Sequence, residues 1–113
     1  MRPRALVTGA SARVGRAIAL ELARTGFDVG IHHRAHPEDA AEVLDRCRAL
    51  GADGFVTSAD LGEVEGCERL VRAVGERWDQ LHLLVNNASV FPPTPFATTD
   101  AEAWDKIQAV NVR

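Results

Sequence analysis

Apolar residues along this chain switch repeatedly between a run of adjacent positions and a spacing of three to four. Arg4 to Thr8 is a short β run. Val14, Ile18 and Leu22, with Ala17 between them, then predict one face of a helix that Gly26 closes, glycine being suited to a left-handed turn. Asp28 to His33 is a second strand. Pro37, Glu38 and Asp39 open a second helix, because proline suits a first turn and acids suit the positive end of the dipole. Its stripe is Ala40, Val43, Leu44, Cys47 and Leu50, and Gly51 ends it. Gly54 to Ser58 is a third strand. Glu63 to Trp78 is a third helix, striped by Cys67, Leu70, Val71, Val74 and Trp78. Leu81 to Val85 is nearly continuous in apolar residues, as expected of a strand covered on both faces. After a proline-bearing loop, Thr99-Asp100-Ala101-Glu102 has the form of a capping box and starts a fourth helix with Ala103, Trp104, Ile107 and Val110 on one side. Regular β-α alternation with short links predicts an α/β fold, a parallel sheet with helices on both faces.

Composition fits one domain and excludes several function classes. The chain has 113 residues, 46% hydrophobic and 26% charged, so it can bury a core. Its net charge of −3 is spread through mixed acids and bases, which argues against nucleic-acid and membrane-surface partners. No stretch approaches membrane-spanning length, and the apolar run behind Met1-Arg2-Pro3-Arg4 is broken by Thr8 and Gly9, a poor signal peptide. Cys47 and Cys67 fall on the stripes of two different helices and read as buried free thiols in a reducing cytoplasm. A disulfide or metal pair is the alternative, with no His or Cys at ligand spacing beside either.

Chemistry concentrates at the first strand-to-helix turn. Gly9 and Gly15 flank it, and a diphosphate requires close backbone, free amide hydrogens and the positive end of a helix dipole. Two glycines alone would be weak; two glycines between a first strand and an amphipathic helix, opening an alternating chain, are a stronger sign. The alternative is a purely structural pair of turn glycines.

Three motifs in order carry a family resemblance: Thr8-Gly9-x-x-x-Arg13-x-Gly15, Asp60-Leu61 after the third strand, and Asn86-Asn87-Ala88-Ser89 after the fourth. Together they resemble the short-chain dehydrogenase/reductases, over nearly the whole chain. The resemblance implies a Rossmann-type doubly wound parallel sheet, here incomplete, with about four strands and four helices. It implies that residues 1–113 form the N-terminal cofactor-binding part of a single domain that moves hydride to or from a carbonyl, alcohol or imine carbon of a small-molecule substrate. Gly9, Ser11, Arg13, Val14 and Gly15 would hold the diphosphate. Asp60 and Leu61 would sit over the adenine, and Asn87, Ala88 and Ser89 would flank the ribose and nicotinamide end. Asn86 is expected to support the sheet instead.

Arg13 departs from the family pattern, which usually has glycine there. The Thr-Gly-x-x-x-Arg-x-Gly form, with Asn87-Ala88-Ser89-Val90-Phe91-Pro92-Pro93-Thr94-Pro95, is similar to the pteridine-reductase branch. That similarity implies that Arg13, Ser89 and Phe91 line a pterin site, a planar guanidinium and an aromatic face suiting a flat heterocycle. A solvated Arg13 with Phe91 as a core plug is the bland alternative, as is a generic carbonyl reductase of the 3-oxoacyl type.

The end of the second strand points to the cofactor. Acids that hold an NAD ribose are missing from His32-His33-Arg34-Ala35-His36, while Arg34, helped by His33, would attract a 2′-phosphate; the expectation is NADP(H). Metal binding by the three histidines is disfavoured, since adjacent strand residues face opposite sides.

The sequence contains no tyrosine, and its one lysine, Lys106, lies on the last predicted helix. The family's proton donor is a tyrosine assisted by a lysine four residues on. Of its catalytic set only Asn111 has a match, implied to hold a water linking that lysine to solvent. The expectation is therefore a fragment without a fifth strand, whose Leu81–Val85 strand is a bare apolar edge, and which has no turnover alone. A non-catalytic NADP-binding module is the competing reading. Full-length relatives are expected to form homotetramers through later helices.

Overall fold

The computed structural model describes residues 2–88, together with the backbone of Asn111 and Val112. Ser89, Phe91 and the helix expected from Thr99 lie outside the described residues. The elements run β1 (Arg4–Val7), α1 (Arg13–Thr25), β2 (Asp28–His33), α2 (Pro37–Ala49), β3 (Gly54–Ser58), α3 (Val64–Arg77), β4 (Leu83–Val85) and β5 (Asn111–Val112). The strands form one parallel sheet in the order β3-β2-β1-β4-β5. The chain steps outward from β1 to β3, then crosses to the other side of β1 for β4. That reversal opens a crevice at the carboxyl ends of β1 and β4, where such sheets take ligands.

β1 explains why the sheet is central to the core. Ala5, Leu6 and Val7 are all fully buried, so neither face meets water. On one side Val7, Val29 and Ile31 pack with α1 and α2 through Ala19, Ala23, Val43 and Cys47. On the other, Leu6 and Leu84 pack with α3 through Leu70, Val71 and Val74, and Trp78 lies edge-on to Phe55 at 4.8 Å. Among the described residues both cysteines are free and buried, and no helix is long and apolar enough to cross a membrane.

Local signals in the sequence account for the helix ends. Gly26 adopts φ 114°, and Phe27 N–H reaches back to the Leu22 carbonyl at 3.0 Å, a left-handed stop. α2 begins on Pro37 with Glu38 and Asp39 in its first turn and ends with Arg46 and Arg48 in its last.

Two expectations are corrected. The inward stripe of α1 is Gly15, Ala19 and Ala23, while Val14 is 64% exposed and Ile18 and Leu22 are half-buried on the flanks. The helix lies so close to the sheet that only small side chains fit beneath it. The second correction concerns the edge of β4. It is not bare: Asn111 and Val112 pair in parallel with Leu84 and Val85, a fifth strand that takes up main-chain groups otherwise left open. The strand places the Asn111 backbone at this edge.

Candidate dinucleotide site

The first turn is built around contacts that only small residues allow. A Cβ on Gly15 would lie 2.1 Å from the Gly9 carbonyl oxygen and 2.6 Å from Asn87 Nδ2. The start of α1 therefore sits directly on the turn. Asn87 Nδ2 donates to the Gly9 carbonyl at 3.0 Å, tying β4 to the same turn. Buried Thr8 completes the tie: its Oγ1 accepts from Asn87 N–H at 2.9 Å and Ala88 N–H at 3.0 Å, and donates to the Val85 carbonyl at 3.3 Å.

Arg13 holds φ 54°, the one left-handed non-glycine among the described residues. It is also the first residue of α1, whose first turn holds no acid and a second base, Arg16. Glu42 of α2 meets Arg16 at 3.4 Å, which leaves Arg13 as the cation at this helix end that lines the cleft and that an incoming anion would neutralise. Backbone strain of about 1–2 kcal/mol is added by the left-handed conformation. Arg13→Gly should relieve that strain, raising stability by about 1 kcal/mol or less once glycine's extra unfolded-state freedom is counted. The same change should weaken dinucleotide binding. Thermal melts beside a calorimetric titration check both signs, and equal or tighter binding by the variant would remove Arg13 from the site.

A cleft of about 410 Å³ opens above these elements. Gly9, Ser11, Arg13 and Val14 supply its floor. His33 and Arg34 come from the end of β2, Asp60 and Leu61 from beyond β3, and Asn87 and Ala88 from beyond β4. Gly15 acts from behind, as the residue that lets α1 approach. The exposed Val14 finds its surroundings here, an apolar side chain at the rim of the cleft.

The β2 wall is more constrained than its sequence implies. Arg34 is 72% exposed and its Nη2 lies 3.4 Å from Asp60 Oδ2, while Asp60 Oδ1 accepts from Gly62 N–H at 2.9 Å. His33 is buried, its Nδ1 accepting from His36 N–H at 3.1 Å, so the accessible positive charge at this wall is the guanidinium of Arg34. His32 also borders the cleft but is tied up on both ring nitrogens. Its Nδ1 accepts from Gly9 N–H at 3.0 Å and its Nε2 donates to the Ala59 carbonyl at 2.9 Å. An amide can only donate, so Nδ1 carries no proton and the ring is the neutral Nε2–H tautomer. Sequence reasoning used His32 only as a possible metal ligand and took Thr8 as a motif marker. Among the described residues no group of three or more His, Cys, Asp or Glu side chains gathers as a metal site.

Burial is the main cause that lowers the pKa of both His32 and His33, and a neighbouring histidine lowers each further; the bond to Ala59 opposes the shift at His32. Unfolding frees each ring toward its ordinary value near 6.5, so the unfolded chain takes up protons first as pH falls. Stability should therefore be level above about pH 6.5 and fall below it, by at most about 1.4 kcal/mol per pH unit for each proton taken up. The slope should shrink in His32→Asn. Melting midpoints across the mildly acid range decide this, and a slope unchanged in the variant would remove His32 from the account.

A parallel sheet with a glycine turn at its switch point, and with Arg13 and Arg34 lining the cleft above it, defines a Rossmann-type nucleotide-binding fold. The profile of the short chain dehydrogenases matches residues 3–113. The chain belongs to that oxidoreductase family. It is 31% identical over its whole length to 3-oxoacyl-(acyl-carrier-protein) reductase FabG of Staphylococcus aureus, of which it covers 46%. Among solved structures, the NADH-dependent reductase A1-R′ complexed with NAD superposes with TM-score 0.72 at 41% identity, over 77% of this chain and 36% of that one. A short chain dehydrogenase from Burkholderia cenocepacia in complex with NADP gives TM-score 0.79 at 28% identity, over 96% of this chain and 54% of that one. The chain thus spans about half the length of the relatives it matches.

Proposed function

We propose that this chain is the NADP(H)-binding half of a short-chain reductase acting on a small carbonyl or imine substrate. The observation that carries the reading is the turn itself: Gly15 packed on the Gly9 carbonyl, with Arg13 at the amino end of α1 lining the cleft beside it. Gly9, Ser11, Arg13 and Val14 would hold the diphosphate, Asp60 and Leu61 the adenine, and Arg34 the 2′-phosphate. Asn87, Ala88 and Ser89 would border the nicotinamide ribose. The bound dinucleotide supplies hydride. Arg13, Ser89 and Phe91 are assigned to the substrate, and Asn111 to a water that serves proton delivery. A pterin-type substrate is favoured by Arg13 in its left-handed conformation, the position where the Thr-Gly-x-x-x-Arg-x-Gly form departs from glycine. A 3-oxoacyl substrate is the second reading, favoured by the end-to-end similarity to the Staphylococcus aureus reductase. The two buried thiols support a reducing compartment, the cytoplasm, and a homotetramer is the proposed assembly of the whole enzyme.

Titration of the folded chain with NADPH and NADH tests the core of this reading. Saturable NADPH binding, tighter than NADH by about tenfold or more, is expected. Folded protein that ignores both nucleotides would refute it. Adding biopterin or an acetoacetyl thioester to the NADPH complex separates the substrate readings by which one binds.

A further inference from the structure

We propose that His32 is a positioning residue for dinucleotide binding, its neutral imidazole linking the diphosphate turn to the wall beside the adenine. The inference rests on the NADP(H) reading above. His32 is 2% exposed where it borders the cleft, and both ring nitrogens and its backbone carbonyl end on segments that line the cleft. Its Nδ1 accepts from Gly9 N–H at 3.0 Å, its backbone carbonyl from Ala10 N–H at 2.9 Å, and its Nε2–H donates to the Ala59 carbonyl at 2.9 Å. Gly9 lies after β1 and Ala59 directly precedes Asp60 after β3. β1 and β3 are not neighbours in the sheet, since β2 separates them. The loops that follow them share no ladder, and the imidazole spans the gap between them.

The physical consequence is directional. Gly9 holds φ 63° and its carbonyl faces Asn87 and Gly15, so its amide direction sets how the turn presents its other amides. Without an acceptor at Nδ1 that half-buried amide must turn or be left to water, and the turn loses its set geometry. The Ala59 carbonyl would lose its donor at the same time, leaving the backbone before Asp60 held to β2 by the Ala59 N–H on the His33 carbonyl at 3.2 Å alone. Both ends of one extended ligand would loosen together. Pre-organisation of this kind appears in affinity, because a loose cradle must be ordered on binding.

Binding and melting measured on the same chain test the inference. His32→Leu removes both side-chain bonds and should weaken NADPH binding about 10-fold to 100-fold at a temperature where the variant is fully folded. His32→Asn keeps an acceptor near the Nδ1 position and His32→Gln a donor near the Nε2 position, and each should recover part of the loss. A merely structural His32 would lower the melting midpoint and leave the dissociation constant of folded protein unchanged, which overturns the inference. If His32→Leu does not fold, the Asn and Gln variants decide: weaker NADPH binding in both supports the link, and native affinity in either defeats it. Heteronuclear NMR of the His32 ring in the unaltered chain gives a check free of substitutions. The Nε2–H tautomer is expected in the free and NADPH-bound chain, and a proton on Nδ1 overturns the inference. If the unaltered chain itself binds no NADPH, it is the nucleotide reading that fails, a result distinct from all of these.

Discussion

Gly15→Ala is expected to abolish measurable dinucleotide binding, a loss of more than about 100-fold, or about 3 kcal/mol. The added methyl group would sit 2.1 Å from the Gly9 carbonyl oxygen and 2.6 Å from Asn87 Nδ2. The first contact is with backbone, which no rotamer change relieves, so the start of α1 must move off the turn. Overpacking of this kind costs about 1–3 kcal/mol in stability. The displaced atoms are also those that would meet the diphosphate, and Asn87 loses its place on the Gly9 carbonyl as they move. Gly26→Ala is the matching control. Gly26 has φ 114°, and a methyl group there would meet nothing within 4 Å, so alanine should strain the stop of α1 and lower the melting midpoint alone. A calorimetric titration of both variants in folded form makes the comparison. Native affinity in Gly15→Ala would mean that the close approach of α1 has nothing to do with the ligand.

Arg34→Asp is expected to reverse the cofactor preference. The guanidinium at the end of β2 is well exposed and loosely paired with Asp60 at 3.4 Å, a contact weak enough to yield to a phosphate. Replacing it places two carboxylates at one wall of the cleft. They would repel a 2′-phosphate, and the new one could accept from a ribose 2′-hydroxyl. NADPH affinity should fall about 100-fold and NADH affinity should rise, moving their ratio by about a thousandfold, near 4 kcal/mol. The native NADPH preference should also narrow with added salt, since the groups involved are exposed and screened. Dissociation constants for both nucleotides at two ionic strengths supply the measurement. A ratio that stays with NADPH in the variant would take Arg34 out of the selection.

Much of the architecture is legible in the chain's periodicity. α2 and α3 bury the residues that their spacing marks, Val43, Leu44 and Cys47 on one and Leu70, Val71 and Val74 on the other, because each has an uninterrupted apolar stripe over a broad sheet face. α1 misled for a physical reason. Its largest apolar residues, Val14, Ile18 and Leu22, flank the contact, while its inward face is made of residues that hydrophobicity ranks low. Close approach selects for size, and a periodicity of hydrophobic residues does not register it. The edge of β4 misled because pairing of Asn111 and Val112 depends on where a long connection returns, which two residues of sequence do not encode.

The site divides along the same line. Gly9, Gly15, Asp60 and Asn87 stand out in sequence because their motifs are local, each set by the turn that follows one strand. The bridging role of His32 did not, and Thr8 stood out only as a letter of its motif, since their partners lie 23 and 27 residues away for the imidazole and 79 and 80 for the hydroxyl. By itself, then, the sequence determined the alternation of strands and helices, the family, and which turns carry glycine, acid or amide, because these depend on nearest neighbours along the chain. Only the tertiary structure decided that Arg13 takes a left-handed backbone, that α1 rests on the Gly9 carbonyl, and that one neutral imidazole spans β2 to join two turns. Those are properties of segments brought together by the sheet, where a difference of one methyl group or one proton is felt across residues far apart in sequence.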